Sequence, residues 1–373
     1  MGLHLLDRAH RGGVQKFVIV ANTENEVQAR GWTRSEKFLG DSEVVVQENL
    51  ETGMAGGVSI GLKSFLDDEP VMILGGNDWV NVSAYKEVIK TGEKNDGAIL
   101  AQKISAYFPG GYLSLNKKGI ISHIVEKPGE GNEPSDLVNI VLHYFSKAET
   151  IKSALNTTNQ SHGDAYEKAL EKIFSTHQII AVPYEKPWQA VKYPWHILEV
   201  MQMLWKEISA QKISPDAEIA KTAVINGRVI IESGAKILDH AVIQGPCFIG
   251  KNSVIGNGCL IRQSHIGAES IIGFHTEIAR SFLRKKVTTH HTYIGDSVVD
   301  QGVNFGAFST TANQRLDKKH VQVRIKEEKI DSHCPKLGAF IGSETQIGAH
   351  SVIMPGKIIE AESQVMPLDW GAR

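Results

Sequence analysis

The chain has 373 residues, of which 42% are hydrophobic and 22% are charged, and its formal net charge is −2. This length suits two domains that each bury a core. The nearly neutral charge gives no reason to expect a nucleic-acid or membrane-surface partner, and no apolar run approaches the roughly 20 residues that span a bilayer. The three cysteines lack zinc-type spacing, so we expect reduced thiols and a cytoplasmic protein.

Residues 1–190 alternate apolar strand-like runs with helical stretches, a pattern that predicts an α/β domain. We expect helices over 3–12, 57–66, 83–91, 148–155 and 164–174. The expected strands are Phe17–Val20, Val44–Gln47, Val71–Leu74, Ala98–Gln102, Ile120–Val125, Asn139–Tyr144 and Ile179–Pro183. Residues 191–212 then read as a linker helix, whose single apolar stripe we expect to dock between the domains.

The back half of the chain is dominated by a six-residue repeat. Isoleucine recurs at every sixth position from Ile213 to Ile261, and the series resumes at Ile266 and again at Ile341. A period of six fits neither an α-helix nor a simple strand, but it fits a triangular solenoid with one large aliphatic side chain per face. Small residues two positions before the isoleucines, such as Cys247 and Cys259, are expected to pack in the interior. Residues 213–373 are therefore predicted to form a left-handed parallel β-helix.

Several segments of the front half resemble the sugar-1-phosphate nucleotidyltransferases, a Rossmann-like family. These are VMILGGND ending at Asp78, VEKP around Glu126 with VNI around Asn139, the WQAVKYPW stretch from 188 to 195, and GMAGG beginning at Gly53. The resemblance implies that Asp78 binds Mg²⁺. It also implies that Glu126 and Asn139 contact the sugar, and that the loop at Gly53 approaches the base and the sugar.

The front half also departs from that family. The family opens with a phosphate loop of the form Gly-x-Gly-Thr-x-Arg, which does not occur in residues 1–50, and its second metal carboxylate is replaced by Ala190. Clustered backbone N–H groups and fixed cations are what a triphosphate needs. The resemblance therefore predicts an N-terminally incomplete domain, whose start is missing or which only binds a sugar nucleotide or serves as a scaffold.

The back half resembles the bifunctional N-acetylglucosamine-1-phosphate uridyltransferase/glucosamine-1-phosphate acetyltransferase and its archaeal and bacterial relatives. Four segments carry this resemblance: HHTYIGD from His290, GVNFG around Asn304, TTAN ending at Asn313, and KLGAFIGS ending at Ser343. With the front half, the resemblance covers nearly the whole chain. It implies acetyl-CoA as the acyl donor, with sugar phosphates and nucleotides as small-molecule partners.

The same resemblance implies roles for individual residues. His290 would be the general base, a role that histidine suits because its pKa lies near neutral pH. Asn313 would contact the sugar or the acetyl group, and Ser343 would lie along the coenzyme A groove. Tyr293 and Asn304 would contact the sugar phosphate, for which Arg262 and Lys319 would supply positive charge.

Two departures indicate that the substrate can differ from glucosamine-1-phosphate. The family's phosphate-binding lysine falls at Ala279, with Arg280 beside it pointing by strand alternation to the opposite side. The family's frequent Asn-Tyr pair is replaced here by Asn313-Gln314.

The resemblance also implies a homotrimer of β-helices with the acyl site between neighbours. The charged interruption at 312–335, which carries Lys319, is expected to reach a neighbour's groove.

Three other functions stay open at this point. One is a regulatory or scaffold protein that binds a sugar nucleotide without catalysis. A second is a nucleoside-diphosphate-sugar pyrophosphorylase whose start is missing. The third is a zinc enzyme of the hexapeptide carbonic-anhydrase type that uses His265, His290 and His291 across a subunit interface.

Overall fold

The computed structural model describes residues 2–159 and 163–367. The chain divides into two compact units, unit 1 from Met1 to Ala190 and unit 2 from Val191 to Arg373. No helix in these described ranges is both long and apolar enough to cross a bilayer.

Unit 1 is an α/β domain, as its alternating sequence pattern predicts. Single 3-10 turns lie at Lys37–Leu39, Leu50–Thr52 and Leu62–Ser64. Its helices are α1 (Gly2–Arg11), α2 (Glu26–Ser35), α3 (Gly53–Gly61), α4 (Val82–Gly92), α5 (Ala148–Asn156) and α6 (Ala165–Thr176). The sequence prediction missed α2, whose mostly polar residues bury only Ala29. It also placed α3 four residues too late.

The strands of unit 1 form one mixed sheet and two small strand pairs. They are β1 (Val18–Ala21), β2 (Glu43–Val46), β3 (Val71–Leu74), β4 (Asp78–Trp79), β5 (Gly97–Lys103), β6 (Gly111–Leu115), β7 (Ile121–Glu126), β8 (Leu137–Phe145), β9 (Ile179–Pro183) and β10 (Gln189–Ala190). The mixed sheet has the order β7-β6-β8-β5-β9, with β3 also paired to β8. The pairs are β1 with β2, parallel, and β4 with β10, antiparallel.

Unit 2 is a parallel β-helix, which confirms the interpretation of the six-residue repeat. The described part of this unit has three parallel sheets, each made of rungs from successive coils. The first sheet contains β11 (Lys212–Ile213), β14 (Val229–Ile231), β17 (Cys247–Ile249), β20 (His265–Ile266), β23 (Phe282–Leu283), β26 (Val298–Val299), β31 (Phe340–Ile341) and β34 (Ile358–Ile359).

The other two sheets complete the prism. The second contains β12 (Glu218–Ile219), β15 (Lys236–Ile237), β18 (Val254–Ile255), β21 (Ile271–Ile272), β24 (Thr288–Thr289), β27 (Asn304–Phe305), β32 (Gln346–Ile347) and β35 (Gln364–Val365). The third contains β13 (Val224–Asn226), β16 (Val242–Gln244), β19 (Leu260–Arg262), β22 (Glu277–Ala279), β25 (Tyr293–Gly295), β28 (Thr310–Thr311) and β33 (Val352–Ile353).

The isoleucine ladder forms the core of the β-helix. Ile243, Ile261, Ile278 and Ile294 stack on consecutive rungs of the third sheet, and each is fully buried. Cys247 and Cys259 belong to the same core as free thiols. Burial raises the pKa of Cys247 to about 11, so this thiol is a packing group rather than a nucleophile.

The interruption in the ladder folds as a hairpin. After β28 the chain leaves the prism, forms β29 (Gln322–Ile325) and β30 (Glu328–Asp331), and returns at β31. An antiparallel bridge between Gln314 and Lys336 closes the base of this excursion. We call residues 314–336 the insertion.

Helix α7 (His196–Glu207) packs against the insertion within unit 2. Leu198, Met201 and Trp205 on its apolar face form one buried cluster with Val321 and Val323. This contact with the insertion was not predicted from the sequence, because the alternating valines of the insertion are hidden among its many charges.

Candidate functional site

His290 lies at a corner of the prism, between β24 and β25. Its side chain is exposed, whereas its backbone carbonyl accepts hydrogen bonds from the Thr292 hydroxyl (3.0 Å) and the Phe308 N–H (3.2 Å). The corner turns because His291 adopts a left-handed backbone conformation with φ of 47°. The fold therefore anchors the backbone of His290 while its side chain faces solvent.

Tyr293 and Asn313, two of the predicted site residues, are joined by a hydrogen bond. The Asn313 amide N–H₂ group donates to the Tyr293 hydroxyl (3.1 Å) and to Asp296 Oδ2. Because a carboxylate only accepts hydrogen bonds, the Asn313 amide must turn its nitrogen towards Asp296. Its carbonyl oxygen is thereby left to accept a hydrogen bond from a ligand.

Asp296 is the centre of this network and was not singled out by the sequence analysis. The carboxylate is 7% exposed and accepts two hydrogen bonds from Arg280, at 2.6 and 2.8 Å. Hydrogen bonding to Asp296 raises the pKa of the Arg280 guanidinium. The signal was present in the sequence, because a buried aspartate in the HHTYIGD segment requires a partner of opposite charge.

Arg262 lies on β19 of the third sheet, whereas Asn304 lies on β27 of the second sheet, three coils further along the prism. Arg262 forms an ion pair with Glu277, which lies directly beside Tyr293 in the register of the third sheet. Asn304 accepts a hydrogen bond from the Thr288 hydroxyl (2.6 Å), which leaves its N–H₂ group as a donor. The sequence analysis predicted Arg262 but not its carboxylate partner.

Lys319 and Ser343 lie apart from this network. Lys319 is exposed in the insertion, and its backbone N–H donates to Asp317 (3.2 Å). Ser343 lies in the turn between β31 and β32, where its carbonyl accepts from the Glu362 N–H (2.7 Å). Within the described ranges, neither side chain hydrogen-bonds to His290, Tyr293 or Asn313.

His265 is a packing residue rather than part of the site. Its ring stacks between Phe248 (4.7 Å) and Phe282 (4.5 Å). His265, one of the three histidines proposed for a zinc enzyme, therefore has a structural role in this aromatic stack on the first sheet.

The predicted metal ligand of unit 1, Asp78, lies opposite Ala190 in the β4–β10 pair. The Trp188 indole donates to Asp78 Oδ1 (2.9 Å). The position facing Asp78 therefore supplies a methyl group, and one of its carboxylate oxygens is already engaged. This strand pair therefore offers a divalent ion one carboxylate, where the resemblance implies two.

Asn139, a predicted sugar contact, is held by a buried chain of hydrogen bonds. His143 Nε2 lies 2.8 Å from Asn139 Oδ1, and His143 Nδ1 lies 2.7 Å from the Tyr166 hydroxyl. His143 is fully buried, and burial lowers its pKa to about 3. In the tautomer with its proton on Nε2, the neutral imidazole donates to Asn139 Oδ1 and accepts from the Tyr166 hydroxyl at Nδ1, and the Asn139 N–H₂ group then points away from His143.

The other predicted sugar contacts lie at turns. Glu126 ends β7 and forms an ion pair with Lys127 (3.3 Å), which has a positive φ of 47°. Gly53 begins α3 with φ of 54°, and Gln47 Nε2 donates to its carbonyl (2.9 Å).

A cavity of about 1070 Å³ lies between β1 and β3. The backbone of both strands lines it, because β1 pairs only with β2 and β3 only with β8 among the described strands. Of its described lining residues, Lys16 is the only cation, and Glu69 and Glu93 add negative charge. Such a lining gives a triphosphate little to bind.

The nucleotidyl transferase family model matches residues 1–202. The chain belongs to the nucleotidyl transferase family. The match covers the whole of unit 1, and the protein is accordingly a transferase with a nucleotidyltransferase domain followed by a left-handed β-helix.

The chain is similar in sequence to several known proteins, including the following three. A bifunctional sugar-1-phosphate nucleotidylyltransferase/acetyltransferase of Sulfurisphaera tokodaii is 29% identical over 95% of this chain and 85% of its own length. A bifunctional protein GlmU of Methanocaldococcus jannaschii is 28% identical over 86% of this chain and 76% of its own. An uncharacterized acetyltransferase, YaiX, of Escherichia coli is 38% identical over 41% of this chain and 68% of its own.

Proposed function

We propose that unit 2 transfers an acetyl group from acetyl-CoA to the amine of an amino-sugar-1-phosphate. The observation that carries the proposal is His290, an exposed histidine on an anchored corner that leads directly into β25, whose Tyr293 belongs to the network with Asn313 and Asp296. The bifunctional relative that aligns over 95% of the chain supports it. The working form would be a homotrimer in the cytoplasm, where acetyl-CoA and sugar phosphates occur.

His290 would act as the general base. A protonated amine cannot attack a thioester, so the imidazole takes one proton from the amine as the new C–N bond forms. The C–S bond of the thioester then breaks, and the imidazolium returns its proton to the leaving sulfur. Coenzyme A leaves as a thiol, and His290 is neutral again. A base of this kind contributes typically about 10²–10⁴-fold to the rate.

The polar groups around His290 would position the acceptor sugar. Asn313 offers a carbonyl oxygen, because its nitrogen is committed to Asp296 and Tyr293. Asn304 offers an N–H₂ donor, which suits a phosphate or hydroxyl oxygen. Arg262 and Lys319 would add positive charge for the phosphate, and Ser343 would lie along the coenzyme A groove.

For unit 1 we propose binding of a sugar nucleotide without nucleotidyl transfer. Glu126, Asn139 and the loop at Gly53 would contact the sugar and the base. The His143–Asn139 hydrogen bond supports this proposal, because it orients the Asn139 amide near the start of β8. The proposal for unit 1 includes no Mg²⁺ ion, because Asp78 faces Ala190 rather than a second carboxylate.

Release of coenzyme A from acetyl-CoA in the presence of amino-sugar phosphates tests the acetyl-transfer proposal. His290→Ala should lower kcat by at least about 10²-fold. The neighbouring His291→Ala is the matched control, because His291 is equally exposed but packs against Phe308 (4.7 Å). Equal rates for the two variants would contradict the assignment of the base. A wild-type protein inactive on every amino-sugar phosphate would contradict the proposal itself.

A further inference from the structure

Two histidines and an aspartate converge at the open end of the insertion hairpin. His320 Nδ1 lies 3.4 Å from Asp331 Oδ1, and His333 Nδ1 lies 4.0 Å from the same oxygen. One ligand atom from each residue falls within 4.8 Å of the others. Within the described ranges, this is the single group of three or more such residues with that spacing.

The backbone that carries these side chains is well anchored. The Val321 N–H donates to the Cys334 carbonyl (2.9 Å), and the buried Ser332 hydroxyl donates to the Val321 carbonyl (2.7 Å). Val321 is 1% exposed and belongs to the cluster with α7. His320 and His333 therefore project from a fixed base, although they lie thirteen positions apart in the sequence.

The carboxylate is also oriented before any ligand arrives. Asp331 Oδ1 accepts a hydrogen bond from the His333 backbone N–H (2.7 Å). His333 itself adopts a positive φ of 55°, which turns the chain so that its ring comes back towards Asp331. A hydrogen bond to a ligating carboxylate is the kind of outer support that metal sites use.

We propose that His320, Asp331 and His333 bind a divalent transition-metal ion of the zinc class. Two imidazoles and one carboxylate suit Zn²⁺ or Co²⁺, whereas Mg²⁺ and Ca²⁺ prefer oxygen ligands. Metal–ligand bonds of about 2.0–2.1 Å place neighbouring tetrahedral ligand atoms about 3.4 Å apart. The His320–Asp331 separation already has this value.

The His333 ring needs to move only slightly to complete the site. Its side chain is 83% exposed, so its rotation meets little resistance. The side chains of His320 and Asp331 are also about half exposed, which leaves the fourth position of the ion to water. The ion would join the two ends of the hairpin and hold the insertion closed, independently of any acetyl transfer.

Zinc binding to the untagged, chelator-treated full chain tests this inference. Calorimetric titration should give one Zn²⁺ per chain for the wild type. His333→Ala and Asp331→Asn should each weaken binding by at least about tenfold. His240→Ala is the control, because His240 is an exposed corner histidine elsewhere in the β-helix, and it should bind like the wild type. Equal affinity in all four proteins would overturn the inference.

Two further measurements distinguish the proposed ligands from a cysteine ligand and test whether the ion holds the insertion closed. An intense thiolate-to-cobalt band with Co²⁺ would assign the ion to Cys334 and overturn the proposal, whereas a spectrum without it supports imidazole and carboxylate ligands. Zn²⁺ should also slow trypsin cleavage at the exposed Arg324, Lys326 and Lys329 in the wild type but not in His333→Ala. Cleavage that Zn²⁺ leaves unchanged would refute the closing role.

Discussion

The buried histidine of unit 1 predicts a specific loss of stability in mild acid. His143 is fully buried and its pKa is about 3, against an ordinary value of 6.5. Below pH 6.5 the unfolded chain binds a proton at this residue and the folded chain does not, so acid stabilises the unfolded state. Each pH unit between the two pKa values costs about 1.4 kcal/mol. From pH 7 to pH 5 the free energy of unfolding of unit 1 should fall by about 2 kcal/mol through this residue alone.

His143→Gln isolates this contribution, because glutamine does not titrate. The variant loses the fitted imidazole and so starts less stable at pH 7, but its stability should decline less towards pH 5. The fall in the free energy of unfolding from pH 7 to pH 5 is measured for the wild type and for His143→Gln. The difference between these two values reports His143, because the contributions of the other titrating groups cancel.

The urea midpoint of unit 1 supplies the measurement, read from hydrogen exchange of peptides that cover β8 (Leu137–Phe145). His10→Gln, at an exposed position of α1, serves as the control and should follow the wild type. A stability difference between wild type and His143→Gln that stays constant from pH 7 to pH 5 would refute the reasoning.

Two predictions concern the units as a whole. The 373-residue chain should not release pyrophosphate from UTP or dTTP with Mg²⁺ and sugar-1-phosphates. Ala190 faces Asp78, and Lys16 is the one cation among the described cavity-lining residues. Pyrophosphate release above background would contradict this prediction. Light scattering at micromolar concentration should give about three times the chain mass of 40.9 kDa, and a monomer mass at all concentrations would remove the proposed intersubunit site.

The β-helix could be predicted from the sequence because its signal is periodic and local. Each isoleucine occupies an equivalent inward position on a rung, so a spacing of six translates directly into a stack. The one-residue slip after Ile261 does not break the ladder. Ile261 pairs with Ile278 and Ile278 with Ile294, so shorter corners absorb the missing residues.

The parts that sequence reasoning missed depend on contacts between distant residues. Helix α2 has no clear apolar stripe, because it buries only Ala29. The hairpin of the insertion was hidden because its two buried valines are outnumbered by charges, and only the contact with α7 explains them. Likewise, His143 contacts Tyr166 across 23 positions and joins it to Asn139, a link that no local pattern reveals.

The two candidate sites share one physical arrangement, in which a buried charge or ring fixes an amide whose other end faces outwards. In unit 2, Asp296 is paired with Arg280, and the pair orients Asn313. In unit 1, neutral His143 orients Asn139. An asparagine alone is a poor guide to specificity, because its two ends are nearly the same size and it can present either one. Asp296 can only accept, so Asn313 presents an acceptor to a ligand. With its proton on Nε2, His143 donates to Asn139 Oδ1, and Asn139 then presents a donor. Under the proposed function, the two units would therefore contact different atoms of a sugar, even though the residue type is the same.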